Sequence, residues 1–544
     1  MKKIYIVVLF LWFSKIIGQE KVVIFSINDP HSRINNFPRL KKLIDNERAL
    51  NNKVFFVCAG DIFSGSPIVD FHPNKGYPMI DLLDDSGLDI CVIGNHEFDY
   101  GQDILNDRIE QAKFPFICDN VSGANGALAN VNGFELITKD DFTIAFVGVV
   151  ETGSPGLYPR THPKRVQGLT FTEGLESFVK YEHLKEEQNA DLFVALTHYG
   201  SSKDRNILEN FPFVDLVIGG HTNSEYGYKY QNGYMIMSGG NLEKVSKTTI
   251  TVTNKTISDF EFELIDLSDP LMPFDSNTQK KVDDYNNVPE FFEVIGVSEV
   301  NHNKSETGCL YTEALLNITE SDFVIQNMGG IRNVLDQGEV TPFDIYSIDP
   351  FSNGLDLFQM TVIEIREFLN NYPSSFSFST SLEIYKDENQ VYQFIKNGTL
   401  LSDTDRINFS LNDYISNVYD SYFPTPFTTF ELTTAEYIIE YIRDKHQGNI
   451  NYDECYQRES TLASTLTVEN SNKIEKFSLE NPVGDFLNIS DQFTGNLSIY
   501  DSNGKLLLQN KNLSNINVSK LKTGLYFVII QEGNNTYSRK ILKK

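Results

Sequence analysis

Ile90-Cys91-Val92-Ile93-Gly94-Asn95-His96-Glu97-Phe98-Asp99 is the stretch on which the fold of the first half of the chain turns. Four apolar residues run directly into a glycine, an amide, an imidazole and two carboxylates. A short apolar run that stops at turn-forming residues reads as a buried strand. Polar side chains released at the end of such a strand stand where α/β sheets bind their ligands.

The same grammar recurs on both sides of this stretch. Val22–Ile27 leads into Asn28-Asp29-Pro30-His31, and Val54–Cys58 leads into Gly60-Asp61. Leu192–Leu196 is followed by Thr197-His198, and Leu216–Ile218 by Gly219-Gly220-His221-Thr222-Asn223. With the run Ile144–Val150 and the helical stretches between, the pattern predicts layered α/β structure from Val22 to about Leu267. Four of the nine histidines fall at these strand ends. If the strands lie side by side, the five segments converge on one rim.

Asp, His and Asn together offer hard and borderline oxygen and nitrogen donors without sulfur, a set suited to zinc, manganese, iron or cobalt. A carboxylate between two cations can bridge them. Two cations about 3.5–4 Å apart can hold a phosphoryl oxygen and lower the pKa of a bound water. Each piece alone is weak evidence, since Gly-Asp and Asp-x-His arise often by chance. The ordered set of five at strand ends is specific.

In order and content these segments resemble the calcineurin-like metallophosphoesterases, and the run Gly94–Asp99 resembles their 5′-nucleotidase branch. The resemblance covers nearly all of residues 21–455. It implies a four-layer N-terminal sandwich, a second α+β domain and metal-dependent hydrolysis of phosphoric esters. It also implies two divalent ions, zinc favoured over manganese, cobalt or iron. Asp29 and His31 would hold the first, Asp61 would bridge, and Asn95, His198 and His221 would hold the second. Asn223 stands where many members have histidine and is carried over as a first-metal ligand, which predicts a more loosely held ion. His96 and Asp99 would form the catalytic pair, His96 meeting charge on the phosphoryl group or leaving oxygen and Asp99 orienting its ring. Glu97 reads as structural. His72, His162, His183, His302 and His446 match nothing and read as solvated or packed.

Beyond a polar, proline-bearing stretch the resemblance continues. Asn327-Met328-Gly329-Gly330-Ile331-Arg332 and Pro350-Phe351-Ser352-Asn353 resemble segments of the 5′-nucleotidase C-terminal domain. Paired glycines let a backbone approach a ligand, and a planar guanidinium suits phosphate. Arg332 and Asn353 are therefore expected at the substrate. The family clamps a nucleobase between two rings, which places Phe376 and Tyr414 at the clamp and Asp420 at the ribose. Val418-Tyr419 departs from the family's Gly-Gly before that acid, so the loop there cannot use glycine-only dihedrals.

The tail differs again. A Ser/Thr/Asn-rich stretch, Gln457–Lys473, reads as a linker, and short apolar runs around Asp501-Ser502-Asn503-Gly504 read as a small all-β module with a hairpin turn. Asn481-Pro482-Val483-Gly484, Leu521–Tyr526 and the basic end Lys540–Lys544 resemble the type IX secretion sorting domain. Lys2-Lys3 followed by apolar Ile4–Phe13 reads as a signal peptide cut after Gly18. The expected organisation is a leader (1–18), a metallophosphoesterase domain (19–268), a linker or hinge (269–292), a substrate-binding domain (293–455), a linker (456–474) and a sorting domain (475–544).

The whole-chain numbers bound this reading. At roughly 100–200 residues per domain, 544 residues suggest about three domains. A formal charge of −28 argues against holding duplex nucleic acid by phosphate neutralisation. An acidic enzyme with an anionic substrate needs local positive charge, which metal ions supply. The five cysteines form no CxxC motif. Cys58 and Cys91 end apolar runs and read as buried thiols. An exported chain has the surroundings for a Cys309–Cys455 bridge, and spacing alone does not choose between bridge and free thiols. The expected partners are a nucleotide substrate and the type IX export machinery, with a secreted or cell-surface location and no transmembrane segment. Nucleoside 5′-monophosphate is the expected substrate. The alternatives are 2′,3′-cyclic nucleotides, nucleoside diphosphates or UDP-sugars, and a non-catalytic surface binding protein.

Overall fold

In the computed structural model the apolar runs form the middles of two facing sheets. The residues described are 19–123, 128–153, 157–372, 375–387, 389–426, 428–445, 449–453, 455, 483–488, 496–501, 505–511, 515–532 and 535–544. The leader, the 456–474 linker, His446, Asn481-Pro482 and the centre of the Asp501–Gly504 turn lie outside the described residues.

The first sheet has the order Thr256–Asp266, Lys244–Thr253, Glu20–Ile27, Val54–Cys58, Ile90–Val92, Phe116–Ile117. The second has the order Glu225–Tyr230, Gly233–Ser238, Leu216–Gly219, Leu192–His198, Phe142–Val150, Phe134–Lys139. The four strands from Glu20 to Ile117 are parallel, as are the central strands of the second sheet. Alternation sorts the side chains. Val22, Ile24, Phe55 and Val57 meet Phe146, Val194 and Ile218 between the sheets. Val23, Phe25 and Phe56 face Phe37, Leu40, Ile80 and Leu83 on the helices Phe37–Arg48 and Tyr77–Asp85. Ala145, Val147 and Phe193 face Ile207 and Leu208 on the helix Ser201–Asn210. Strands buried on both faces must be apolar throughout, which is why continuous runs marked them. The result is a four-layer α/β/β/α sandwich.

The long hairpin Lys244–Thr253/Thr256–Asp266 carried no such run. Its outer strand alternates between half-exposed and exposed positions, so its composition reads as polar. Asn254 and Lys255 at its turn both have left-handed backbone (φ 52° and 60°), the mirror-image turn that matches strand twist.

The second half builds a five-stranded sheet in the order Phe376–Phe378, Phe323–Asn327, Arg406–Asn412, Leu355–Thr361, Thr428–Thr429. The helix Val362–Asn371 forms with a Thr361/Glu364 capping box, and a short strand forms at Glu383–Lys386. Cys309, on the helix Lys304–Thr319, is bonded to Cys455 across 6.5 Å between Cα atoms. Cys58, Cys91 and Cys118 are buried thiols.

Residues 269–292 are not an open tether. Asp275 caps a helix, Ser276–Asn286, whose Val282 belongs to the first domain's core. Lys281 pairs with Asp81 at 3.2 Å and Asp85 at 3.4 Å, and the Tyr285 hydroxyl donates to Asp81 at 3.0 Å. The described residues up to 455 form one unit, and those from 483 onward form another. In the latter, a sheet of order Leu506–Lys511, Asn496–Tyr500, Gly524–Glu532, Asn535–Lys543 packs Leu497, Ile499, Val528 and Ile541 against Leu487 and Ile516. The basic end is its edge strand. Among the described residues no helix is long and apolar enough to cross a membrane.

Candidate metal centre and substrate cavity

All five ligand-bearing segments leave their strands at the same edge of the sandwich. Asp29, His31, Asp61, Asn95, His96, Asp99, His221 and Asn223 line one cavity of about 490 Å³, and His198 is buried behind it at 0% exposure. Five of the seven expected ligands hold left-handed backbone: Asp29 (φ 48°), His31 (45°), Asp61 (55°), His221 (76°) and Asn223 (49°). For residues other than glycine this costs on the order of 1–3 kcal/mol each and clusters at functional sites. It turns each side chain sharply off the strand end.

The imidazoles are fixed from behind. His31 bonds through Nδ1 to the Ser64 carbonyl at 3.2 Å, and His198 through Nδ1 to the Ala59 carbonyl at 2.8 Å. Each then presents Nε2 to the carboxylates, 3.8 Å from Asp29 for His31 and 3.0 Å from Asp61 for His198. An outer hydrogen bond that sets tautomer and ring orientation is the usual support of a metal-bound histidine. Asn95 donates Nδ2 to the Arg160 carbonyl at 3.1 Å and turns its oxygen to His221 Nδ1 at 3.0 Å. The Asn223 amide lies about 3.1–3.3 Å from the Asp29 carboxylate. With nitrogen inward it donates to both oxygens; with oxygen inward it joins them as a third oxygen donor.

The donor set fits divalent cations on two counts. His31, Asp61 and His96 form one cluster with ligand atoms within 4.8 Å of one another, and Asp61, His198 and His221 form a second. Asp61 is shared, the place of a bridging carboxylate. Moreover, His198 Nε2 is wholly buried and meets the Asp61 carboxylate at 3.0 Å without good hydrogen-bond geometry. A buried polar atom so poorly satisfied is rare and costly; a cation would satisfy it.

Charge among these side chains follows from crowding. Burial, with the Asp61 charge, pushes Asp29 up to about 6. Burial also pulls His31 and His221 down to about 3 each, leaving them neutral, the form that coordinates. Burial would raise Asp61, but the His198 and His96 charges outweigh it and hold the carboxyl well below its usual range.

Glu97 holds the rim together, as a structural residue should. It accepts the backbone N–H of Ile62 at 2.6 Å, of Asp61 at 3.0 Å and of Gly94. A side chain at Gly94 would collide with Asp61 Oδ1. Glu97→Gln puts an amide N–H where an acceptor is required. It is expected to cost about 1–3 kcal/mol and to weaken metal binding about tenfold or more. Metal titration and thermal unfolding of the variant check this, and wild-type values in both would refute it.

His96 Nδ1 lies 2.6 Å from Asp99 Oδ2, and Asp99 Oδ1 accepts from Thr161 at 2.8 Å and Arg165 at 3.2 Å. Burial opposes ionisation of Asp99, but the His96 charge and hydrogen bond, with Arg165, bring it down to about 2.

The facing wall comes from the second half: Asn327, Gly329, Gly330, Arg332, Phe351, Asn353, Tyr372, Tyr414 and Tyr419. Arg332, Asn353 and Tyr414, carried over from the resemblance, are thus among the lining residues. Phe376 and Asp420 are not among the lining residues. The Phe376 ring packs behind Tyr372, 4.7 Å between centroids, and against Phe368 at 5.8 Å. Tyr372 and Tyr419, in T-shaped contact at 4.4 Å, take the wall position instead. Tyr419 is one of the two residues that stand where the resemblance expects a glycine pair, and it lines the cavity. Arg160, Thr161, His162 and Arg165 were missed. They belong to a polar loop after Leu157, and only the folded chain brings them to the rim. His162, read as solvated or packed, is buried in the cavity wall with Nε2 3.4 Å from Asp413.

The calcineurin-like phosphoesterase family model matches residues 22–225, the 5′-nucleotidase C-terminal domain model 287–425, and the secretion system C-terminal sorting domain model 481–544. Among curated relatives, Endonuclease YhcR of Bacillus subtilis is 24% identical over 60% of this chain, which spans 29% of that protein. A 5′-nucleotidase of Vibrio vulnificus is 25% identical over 64% of this chain and 75% of its own length. A 5′-nucleotidase precursor from Thermus thermophilus has the same fold, with a TM-score of 0.69 over 79% of this chain and 97% of that one at 17% identity.

Proposed function

Because the chain belongs to the 5′-nucleotidase family of calcineurin-like metallophosphoesterases, we propose that it releases phosphate from nucleoside 5′-monophosphates outside the cell. One observation carries the reading. A single cavity of about 490 Å³ has a rim of Asp, His and Asn side chains on one side and Arg332, Asn353 and three tyrosines on the other. That volume holds one small ligand, with a phosphate end and an aromatic end.

Asp29, His31, Asp61 and Asn223 would hold one divalent ion, zinc by preference, and Asp61, Asn95, His198 and His221 a second. Such a pair supplies Lewis acidity and a nucleophile at neutral pH. The chain's own groups do the rest. Asp99 fixes the His96 ring through Nδ1 and leaves the other nitrogen to meet charge on the leaving oxygen. The Arg332 guanidinium suits the phosphate as a planar donor. Tyr414, Tyr372 and Tyr419 offer faces for the base, each stacking worth roughly 1–3 kcal/mol and tolerant of base identity. The sorting domain supports export through type IX secretion.

A second reading keeps the metals and changes the substrate. Arg160 also lines the cavity, and an additional cation favours a substrate with a second phosphate, such as a nucleoside diphosphate or UDP-sugar. The test is a panel of 5′-AMP, 5′-UMP, 2′,3′-cyclic AMP, ADP and UDP-glucose on metal-reconstituted protein. The 5′-monophosphates are expected to lead by at least about tenfold in kcat/KM, a difference of about 1.4 kcal/mol. Chelation is expected to remove activity and added divalent ion to restore it. A lead for ADP or UDP-glucose would replace the first reading with the second.

A further inference from the structure

We propose that Arg165 is a positioning residue through which the second domain sets the catalytic pair. This rests on His96 and Asp99 being that pair.

Arg165 lies on the short turn Pro163–Val166, and Gln102 steadies the turn by donating to the Arg165 and Gln167 carbonyls at 3.1 and 3.0 Å. From there the guanidinium reaches two ways. Nη1 donates to Asp99 Oδ1 at 3.2 Å, and Nη2 donates to the Phe351 carbonyl at 2.6 Å. Asp99 belongs to the first domain and Phe351 to the second. The side chains of Arg165 and Asp99 are 17% and 4% exposed, so the pair is little screened by water.

Phe351 is not a passive anchor. Its ring lies over the His96 imidazole, 5.7 Å between centroids and 20° from parallel. The Arg332 guanidinium sits 5.7 Å from the same ring. His96 is therefore fixed at Nδ1 by its own domain and across its face by the other. Arg165 ties the two constraints together: with Oδ1 of Asp99 held by Arg165 and Thr161, Oδ2 remains for His96. When the second domain is docked, the guanidinium, the carboxylate and the imidazole form one line of contacts. Without the Phe351 carbonyl, Arg165 loses one of its two acceptors and Asp99 is less firmly aimed. The fork geometry matters here, because a guanidinium can serve two acceptors in one plane and an ammonium cannot do so in a fixed orientation.

The experiment uses the full metal-loaded chain with Arg165→Ala, Arg165→Gln and Arg165→Lys, assayed on 5′-AMP and on p-nitrophenyl phosphate. Removing an outer support of this kind is expected to lower kcat about 30-fold in the Ala and Gln variants. KM stays within about threefold, because the lost interaction belongs to the transition state. Added guanidinium ion should restore several-fold of the kcat of Arg165→Ala, and Arg165→Lys should lie nearer the Ala variant than wild type. In an Asp99→Asn background Arg165→Ala should add little, since it acts through Asp99. Loss on p-nitrophenyl phosphate with no turnover of 5′-AMP by wild type would leave this proposal standing and remove the nucleotidase reading. A raised KM with unchanged kcat would make Arg165 a substrate contact and overturn the proposal, as would full additivity with Asp99→Asn or wild-type kcat in both the Ala and Gln variants.

Discussion

Asp61→Asn is expected to lose at least about three powers of ten in kcat, near 4 kcal/mol of transition-state stabilisation. Asp61 is the one carboxylate common to both ligand clusters, so its loss should also empty or weaken both cation positions. The fold should survive. Asn keeps the side-chain volume and the acceptor for the His96 N–H, which meets Asp61 Oδ1 at 2.8 Å. His198, held charged chiefly by Asp61 against the pull of burial, can give up its proton instead of remaining an unpaired buried cation. The measurements are bound metal by elemental analysis, turnover on the best substrate of the panel, and circular dichroism. A variant with wild-type turnover and two bound ions would end the bridging assignment.

The second large effect is on stability. Cys309 and Cys455 are 146 residues apart in sequence, and the bond closes much of the second domain into one loop. In the chain-entropy account a loop of that length gives about 5 kcal/mol, while measured bridges typically give about 2–4 kcal/mol. Cys309→Ala with Cys455→Ser is therefore expected to lower unfolding free energy by about 2–5 kcal/mol, and reductant should mimic it on the native chain. Denaturant unfolding reads it directly. An unchanged midpoint in both cases would mean that the packing of helices Lys304–Thr319 and Thr434–Lys445 holds this region unaided.

The candidate metal rim is legible in the sequence because each of its segments ends or leaves a strand buried on both faces. Such a strand has to be apolar, so its end is marked by an abrupt change of composition, as at Ile93-Gly94 and Ala59-Gly60. The facing wall had no such marker. Tyr372 sits at the end of a helix, Phe376 on an edge strand and Tyr419 after a short helix. Which of these rings faces the cavity depends on packing against Phe368, and sequence pattern does not encode that. Arg165 was hidden for a different reason. Its partners Asp99 and Phe351 are 66 and 186 residues away, and nothing local distinguishes it from a solvated cation. The hairpin Lys244–Asp266 escaped notice because half-exposed strands alternate with polar residues and show no run.

The helix Ser276–Asn286 shortens the leash between the two catalytic halves. Its seat against Asp81 and Asp85 leaves 287–294 as the chain between that anchor and Ile295, whose N–H is already bonded to the Val340 carbonyl. Fully stretched, such a segment reaches at most about 28 Å, and a three-residue turn at Pro289–Phe291 takes up part of it. That reach caps how far the second domain can separate from the first at this end, whereas edges remote from the segment are not held by it.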